Sequence, residues 1–278
     1  MRTLDFQDVA EVICELYLES LFSLRKDIRF ALEQALDNET EPARTYLELL
    51  LKNADVAKKE QLPLHHDTGI PMFFLEVGHD VHLEGGSWQQ AIAEGVQIAH
   101  EQYPTKHQIV REPFEKMKSN LPPVAADVDV VEGDSVRLAC WRLDASSERA
   151  SHLLWMTLPL DQNKLKSEVQ RVVLESGALA SPPLLIGVGI AATSAQAGLQ
   201  AKKALRRTVG KPHSVLEKAR LEQSLLNAVN NLYLGPGGMG GMTTALAVHV
   251  KASPTHEDAV PIAVNLHTSN LRFSERVL

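Results

Sequence analysis

The spacing of apolar residues changes partway along the chain, and this change limits the folds that the chain can adopt. Residues 6–57 carry apolar side chains at helical intervals, which is typical of amphipathic helices. We expect three helices here, with a polar break at residues 37–41 and Pro42 in the first turn of the third. From residue 70 onward, short apolar stretches alternate with helical patterns. The sequence therefore predicts the α/β class, with a mixed sheet domain and an N-terminal helical part.

The second part of the chain contains several predicted strands. Residues 70–81 form an apolar stretch that is typical of a buried strand. Glu132, Gly133 and Asp134 are expected to make the turn of a β-hairpin. Further strands are expected at residues 183–190 and 261–267, and helices at 88–101, 164–176, 194–207 and 216–232.

Charge and composition exclude several classes of protein. The net charge is −7, which argues against a nucleic-acid-binding surface, because binding phosphates needs a basic face. The longest apolar run, Leu184 to Ile190, is too short to cross a bilayer, and no signal-peptide pattern precedes the first helix. Cys14 and Cys140 are too few for a disulfide framework or a cysteine zinc site. We therefore expect a cytoplasmic protein that binds neither nucleic acid nor membrane.

Three segments carry motifs in a consistent order: HHDTG within residues 53–78, Ser-Pro-Pro at the start of residues 181–205, and GPGGMGG at the start of residues 235–265. In order and spacing they resemble successive landmarks of the alpha region of class I, iron–sulfur-type fumarases and L-tartrate dehydratases. The resemblance extends over nearly the whole chain. Several segments in one order indicate common ancestry, whereas a single glycine-rich loop would not.

The ligands of the family's cofactor are replaced in this sequence. In the family, three cysteine thiolates at these landmarks hold a four-iron cluster. The matching positions here are His65, Ser181 and Thr268. Cys14 and Cys140 lie far from these landmarks in the sequence. Because serine and threonine are poor substitutes for thiolate ligands, we expect no iron–sulfur cluster.

The resemblance also implies a chemistry and a set of site residues. In the family, an open iron site acts as a Lewis acid on the substrate, so that water leaves a hydroxy-dicarboxylic acid or adds to its alkene. By position, Asp67 and His256 would be catalytic. Substrate binding is expected of His66, Lys106 and Thr255. The implied substrate is therefore a small carboxylic acid.

Three departures from the family pattern bear on this expectation. The glycine-rich stretch that holds substrate in the family has no counterpart in residues 156–165. The family's substrate arginine is matched only by Lys106 or Arg111. The catalytic base of the family comes from a beta region; we expect none within this chain, so a separate beta-type subunit is an expected partner. We expect a single alpha-type domain over residues 1–278, with a helical part at 1–60 and a mixed α/β part at 61–278. The resemblance further implies a homodimer.

Histidines at or beside the site positions suggest a replacement for the cluster. Three imidazoles with an optional carboxylate suit one iron, zinc or manganese ion. The candidate ligands are His65, His66, His256 and His267. The alternative is that the site has decayed and that the histidines are incidental in a chain with 11 of them. His267 fits least well, because strand alternation turns it away from the face of Thr268.

Two motifs have both a structural and a functional interpretation. Asp67 could form an Asx turn with Thr68 and Gly69, and it could also hydrogen-bond a substrate or a metal. The GPGGMGG loop could be a tight loop that needs positive φ, or a backbone cradle for an anion. Both interpretations stay open for each motif.

These observations lead to one functional interpretation and two rivals. The first is a hydro-lyase-like protein that acts on a small (di)carboxylic acid, with a mononuclear metal in place of the lost cluster. Retention of Asp67, His256 and the GPGGMGG loop favours it. The second is a noncatalytic pseudoenzyme that serves as a structural or regulatory partner, which the missing glycine-rich substrate stretch favours. The third is an enzyme with a different chemistry.

Overall fold

The computed structural model of the chain describes residues 1–104, 110–112, 114, 117–118 and 124–278. Its helices are α1 (Phe6–Phe22), α2 (Lys26–Leu36), α3 (Ala43–Glu60), α4 (Trp88–Gln102), α5 (Ala145–Arg149), α6 (Gln162–Ser176), α7 (Ser194–Leu205) and α8 (Leu216–Asn230). Its strands are β1 (Arg2–Asp5), β2 (Ile70–Gly78), β3 (Val81–Glu84), β4 (Val110–Glu112), β5 (Met117–Lys118), β6 (Ala125–Val131), β7 (Val136–Leu143), β8 (His152–Met156), β9 (Leu184–Ile190), β10 (Ala245–Ala252), β11 (Val260–Thr268) and β12 (Phe273–Val277). None of the described helices is both long and apolar enough to span a membrane. The predicted α/β class with three N-terminal helices is confirmed.

Local sequence signals set the starts of several helices. Asp5 caps α1, because its side chain accepts hydrogen bonds from the amides of Gln7 and Asp8. Ser87 and Gln90 form a capping box at the start of α4. These caps satisfy amides that have no partner within the helix, and they fix where each helix begins.

The chain divides into two compact units that are interleaved in sequence. The first unit comprises Met1–Arg25, Asn53–Asp144 and Asn270–Leu278, and the second comprises Lys26–Lys52 and Ala145–Ser269. The predicted helical part is therefore shared between the two units. The assignment of the chain to a single domain stays a prediction.

In the first unit, the strands β12, β7, β2 and β6 form a four-stranded sheet in that order. β6 runs parallel to β2, whereas β7 is antiparallel to both β2 and β12. α1 and α4 contribute to one buried cluster with this sheet, which includes Ile13, Leu16, Phe73, Ile92 and Leu138. Burial of these apolar side chains stabilises the sheet, and the sheet in turn positions the loop that precedes β2.

The predicted hairpin around Gly133 is wrong. β6 and β7 do not pair with each other, because β2 lies between them and pairs with both. Their connection passes the end of β2, where the amides of His79 and Asp80 donate hydrogen bonds to the carbonyls of Val131 and Gly133 (2.8 and 3.1 Å). The short connection suggested that β6 and β7 pair with each other. Each of them pairs instead with β2, which lies far from both in the sequence.

In the second unit, the strands β10, β9, β11 and β8 form a four-stranded sheet in that order. β9 and β10 are parallel, and β11 is antiparallel to β9 and β8. One face is buried with α6 and α8 in a cluster that includes Val173 and Ile186. α7 packs on the other face, where a Cβ at Gly187 or Gly189 would lie 2.2 Å from a backbone atom of Ala201. The glycines of β9 therefore allow α7 to approach the sheet closely.

Several short strands of the first unit were not predicted, among them β1, β3 and β12. β12 (FSERV) pairs with the edge of the sheet at β7, and three of its five side chains are exposed. It therefore shows little of the apolar alternation by which strands are recognised in a sequence.

Candidate functional site

The HHDTG motif forms the loop between α3 and β2 in the first unit. His65 is partly buried, and its Nδ1 accepts a hydrogen bond from the amide of Asp67 (3.2 Å). His66 is exposed, and the centroids of the two imidazole rings lie 4.4 Å apart. Asp67 Oδ1 accepts a hydrogen bond from the amide of Gly69 (2.9 Å), so the Asx turn is present. The structure therefore brings His65, His66 and Asp67 together in one compact turn.

Gly69 is required at the end of this turn. It has a φ of +69°, and a Cβ there would lie 2.8 Å from the carbonyl oxygen of Leu143 and 3.1 Å from Nη2 of Arg272. The loop backbone therefore passes in close contact with the end of β7 and with the Arg272 side chain.

Two buried arginines bind the backbone of this loop. Arg142, on β7, donates through Nη1 to the carbonyl oxygen of Thr68 (2.9 Å) and through Nε to Oγ of Ser20 (3.3 Å). Arg272, just before β12, donates through Nη1 to the carbonyl oxygen of Asp67. Two consecutive carbonyl groups of the loop thus each accept a hydrogen bond from a guanidinium group.

Burial and neighbouring charges shift the pKa values of His65 and Arg272. Burial lowers the pKa of His65 below its usual value, and the positive charge of Arg272 lowers it further, while Asp144 acts in the opposite direction. Burial, assisted by the charge of Arg142, also lowers the pKa of Arg272 to about 10. Arg272 is therefore still protonated at neutral pH, and His65 favours the neutral imidazole, which can bind a metal or accept a proton.

The second and third family cysteine positions lie near each other in the second unit. Ser181 is exposed, has a φ of +55°, and stands two residues before Pro183. The amide of Ser269 donates a hydrogen bond to the carbonyl oxygen of Pro183 (3.0 Å), and Thr268 is paired in register with Leu184. Hydroxyl groups, rather than thiols, therefore occupy this end of the sheet.

The glycine-rich loop lies beside these positions. The amide of Gly237 donates a hydrogen bond to the carbonyl oxygen of Pro182 (2.8 Å), and the loop glycines have φ values from +63° to +127°. The amides of Met242 and Thr243, directly after them, donate to the carboxylate of Glu39 (3.1 and 2.6 Å). The loop is thus a tight turn, as one interpretation expects, and the amides at its end hold an anion that belongs to the chain itself.

Thr255 and His256 lie at the opposite end of the second unit's sheet. Thr255 Oγ1 donates to the carbonyl oxygen of Ala191, which directly follows β9 (2.9 Å), and His256 is exposed. Thr268, by contrast, pairs with Leu184, the first residue of β9. Leu184 and Ala191 are seven residues apart, which at about 3.3 Å per residue places the two ends about 23 Å apart.

His267 is buried next to Thr268, and its Nδ1 lies 2.9 Å from the carbonyl oxygen of Thr268. It lies on β11, while His256 precedes that strand at the opposite end. These two histidines are therefore too far apart to ligate the same ion. His65 and His66 belong to the first unit.

The other residues considered in the sequence do not form a group of metal ligands in the described part of the chain. Among the residues that the structure describes, no group of three or more His, Cys, Asp or Glu side chains could hold a metal ion. Lys106 lies outside the described residues. Cys14 and Cys140 are buried in the core of the first unit, and burial raises the pKa of the Cys140 thiol to about 11. Both cysteines are therefore inert core residues.

Sequence reasoning missed three polar residues that shape these loops: Arg142, Arg272 and Glu39. Arg142 and Arg272 are charged residues among apolar neighbours, which is a usable signal because arginine is seldom buried without a specific partner. Glu39 is 203 positions away from Met242 in the sequence, and nothing local to either residue indicates their contact.

Several known proteins are similar to this chain over most of its length. A family model described as fumarate hydratase (fumerase) matches residues 10–276. A putative L(+)-tartrate dehydratase subunit alpha from Methanocaldococcus jannaschii is 31% identical over 263 residues, which cover 92% of this chain and 92% of that protein. An L(+)-tartrate dehydratase subunit alpha from Escherichia coli is 28% identical over 255 residues, which cover 86% of this chain and 80% of that protein. The chain therefore belongs to the fumarate hydratase (fumerase) family of hydro-lyases and corresponds to the alpha region of class I fumarases and tartrate dehydratases.

Proposed function

We propose that this chain is the alpha component of a hydro-lyase that acts on a small (di)carboxylic acid. The observation that carries the proposal is the extent of the similarity, since 92% of this chain aligns with 92% of a putative L(+)-tartrate dehydratase subunit alpha. Fumarate and L(+)-tartrate are the first substrates to consider, because the family and the similar proteins are named for these acids.

The donor atoms at the family's three ligand positions do not fit a four-iron cluster. Cluster irons are held by thiolates, whereas these positions carry the imidazole of His65 and the hydroxyls of Ser181 and Thr268. Cys14 and Cys140 are buried in the core of the first unit. We therefore propose that the chain works without this cluster, and no step of the proposed chemistry passes through it.

Asp67 is the proposed catalytic group of the first unit. Its side chain is oriented by the Asx turn, and an oriented carboxylate can take a proton from, or return it to, a substrate or water within hydrogen-bond reach. His66, exposed beside it, is proposed to bind a substrate carboxylate. In the second unit, His256 is proposed as a catalytic group and Thr255 as a substrate contact. Lys106 is likewise proposed to bind substrate.

A single iron, zinc or manganese ion is proposed at His65 and His66. Their adjacent rings offer two nitrogen ligands, and imidazole suits each of these metals. Within the described ranges of the chain, no third side chain completes a ligand set around them. Water, substrate or a side chain of a partner would therefore have to supply the other positions.

The proposed partners are a beta-type subunit and a second copy of this chain. The similar proteins are named as alpha subunits, which supports a separate subunit that completes the enzyme. A homodimer and a cytoplasmic location are further proposals that follow from the family resemblance.

A turnover assay tests the proposed activity. We would purify the full chain from its native cells together with its partners and incubate the complex with L(+)-tartrate or fumarate. The expected result is hydration of fumarate, or conversion of tartrate to the keto acid that dehydration of a dihydroxy acid yields. A partner-bound complex that turns over neither acid, nor other small hydroxy-dicarboxylic acids, would contradict the proposal.

The second candidate is a noncatalytic subunit that keeps the fold. It is favoured by the loss of thiolates at all three family ligand positions, together with the lack of a three-ligand group among the described residues. Such a subunit would still bind its partner. Stable complex formation without turnover is the outcome that this candidate predicts in the same assay.

A further inference from the structure

We propose that Arg142 and Arg272 are positioning residues that fix the backbone of the HHDTG loop in its ligand-binding shape. The identity of the ligand rests on the proposed function. The contacts between the arginines and the loop do not depend on it.

Arg142 and Arg272 donate hydrogen bonds at and directly after Asp67, the residue with the proposed catalytic role. Arg272 Nη1 donates to the carbonyl oxygen of Asp67, and Arg142 Nη1 donates to the next carbonyl oxygen, that of Thr68 (2.9 Å). The Asp67 side chain accepts from the amide of Gly69 (2.9 Å). Three hydrogen bonds thus fix the peptide groups after Asp67 and the direction of its carboxylate.

Both arginines are themselves held in place by the core of the first unit. The Arg142 guanidinium lies over the ring of Tyr17, 3.7 Å from its centroid, and its Nε donates to Oγ of Ser20. The backbone amide of Arg142 donates to the carbonyl oxygen of Arg272 (3.0 Å), which ties the two arginines together. A loop bound to this pair is therefore bound to a rigid support.

Burying the two guanidinium groups has a free-energy cost, and for Arg272 the negative charge of the buried Asp144 offsets part of it. Arg142 is 0% exposed and Arg272 is 1% exposed, so two cations have lost their hydration side by side. Within the described part of the chain, Arg142 Nη2, Arg272 Nε and Arg272 Nη2 have no hydrogen-bond partner. Apolar side chains of similar volume would usually pack at such a place at lower cost. Apolar side chains could not provide the hydrogen bonds that the two guanidinium groups donate to the loop carbonyls.

Lysine substitutions of the full chain test this role. Arg272→Lys and Arg142→Lys keep the positive charge but replace the planar guanidinium group, which can donate in two directions at once, with a single ammonium group. We expect both variants to fold, as judged by circular dichroism. Amide hydrogen exchange in residues 64–70 should accelerate by at least roughly tenfold. This is the factor expected when the loop loses one hydrogen bond to a charged group. The dissociation constant for L(+)-tartrate should rise by a similar factor.

Arg276→Lys is the matched control, because Arg276 lies on β12, is 45% exposed and pairs with Glu15 at the surface. It should leave exchange in the loop unchanged. Unchanged loop exchange in both folded lysine variants would overturn the proposal. Unfolding of both variants would also overturn it, since the arginines would then hold the fold rather than the loop. If the wild-type chain binds no dicarboxylate while loop exchange accelerates as expected, the proposed function fails and the positioning role stands.

Discussion

The variant Gly189→Ala is expected to lose roughly 3 kcal/mol of unfolding free energy, near the upper end of the usual cost of overpacking. A Cβ at this position would lie 2.1 Å from the carbonyl oxygen of Ala197 and 2.2 Å from the amide nitrogen of Ala201. Both are backbone atoms of α7, so no side-chain rotation can relieve the contact and the helix has to move off the sheet. Thermal unfolding followed by circular dichroism should show a midpoint lower by about 10 °C.

Gly198→Ala is the matched control for this prediction. Gly198 lies on α7 as well, but a Cβ there would meet nothing within 4 Å. Alanine is a better helix former than glycine by about 1 kcal/mol, so this variant should be more stable than the wild type. A Gly189→Ala variant as stable as the wild type would show that α7 does not pack against β9 as described.

The variant Asp67→Asn is expected to keep its stability and lose about 100-fold in kcat/KM, the lower end of the range for loss of an acid–base group. Asparagine retains the Oδ1 acceptor that receives the amide of Gly69, so the Asx turn should survive. It lacks the negative charge and the proton-accepting ability of the carboxylate. Steady-state kinetics with L(+)-tartrate, beside a thermal melt, measures both quantities.

Asp67→Ala separates the structural role from the catalytic one. Alanine removes the turn acceptor as well as the charge, so this variant should lose about 1 kcal/mol of stability in addition to its activity. Wild-type kcat/KM in Asp67→Asn, with a loss only in Asp67→Ala, would mean that Asp67 serves the turn alone.

Most of the secondary structure could be predicted because it depends on local patterns. The three N-terminal helices and the buried strand β9 follow from the spacing of apolar residues within short windows. The predicted hairpin around Gly133 was wrong because it also relied on a local pattern. The pairing of β6 and β7 depends on β2, which lies far away in the sequence. Local patterns establish that a strand exists, but they do not establish its neighbour.

The HHDTG loop was predicted from the sequence, whereas the two arginines that bind it were not. HHDTG was identified from its resemblance to a family motif, and the Asx turn at Asp67 follows from its own residues. The arginines that bind the loop come from sequence positions more than 70 residues away, with separations of 74 and 205 residues. Contacts at such separations are set by the packing of the whole unit, and no spacing rule within the sequence reports them.

Measuring acid-labile sulfide and iron in the active fraction tests the central claim. That claim is that the proposed hydro-lyase works without the family's cluster. The complex would be purified without exposure to air, fractionated, and assayed for L(+)-tartrate turnover and for sulfide and iron in each fraction. The account predicts turnover in fractions that contain no sulfide above background, since His65, Ser181 and Thr268 supply no thiolate. About four iron and four sulfide per chain, rising and falling with the activity across the fractions, would contradict it.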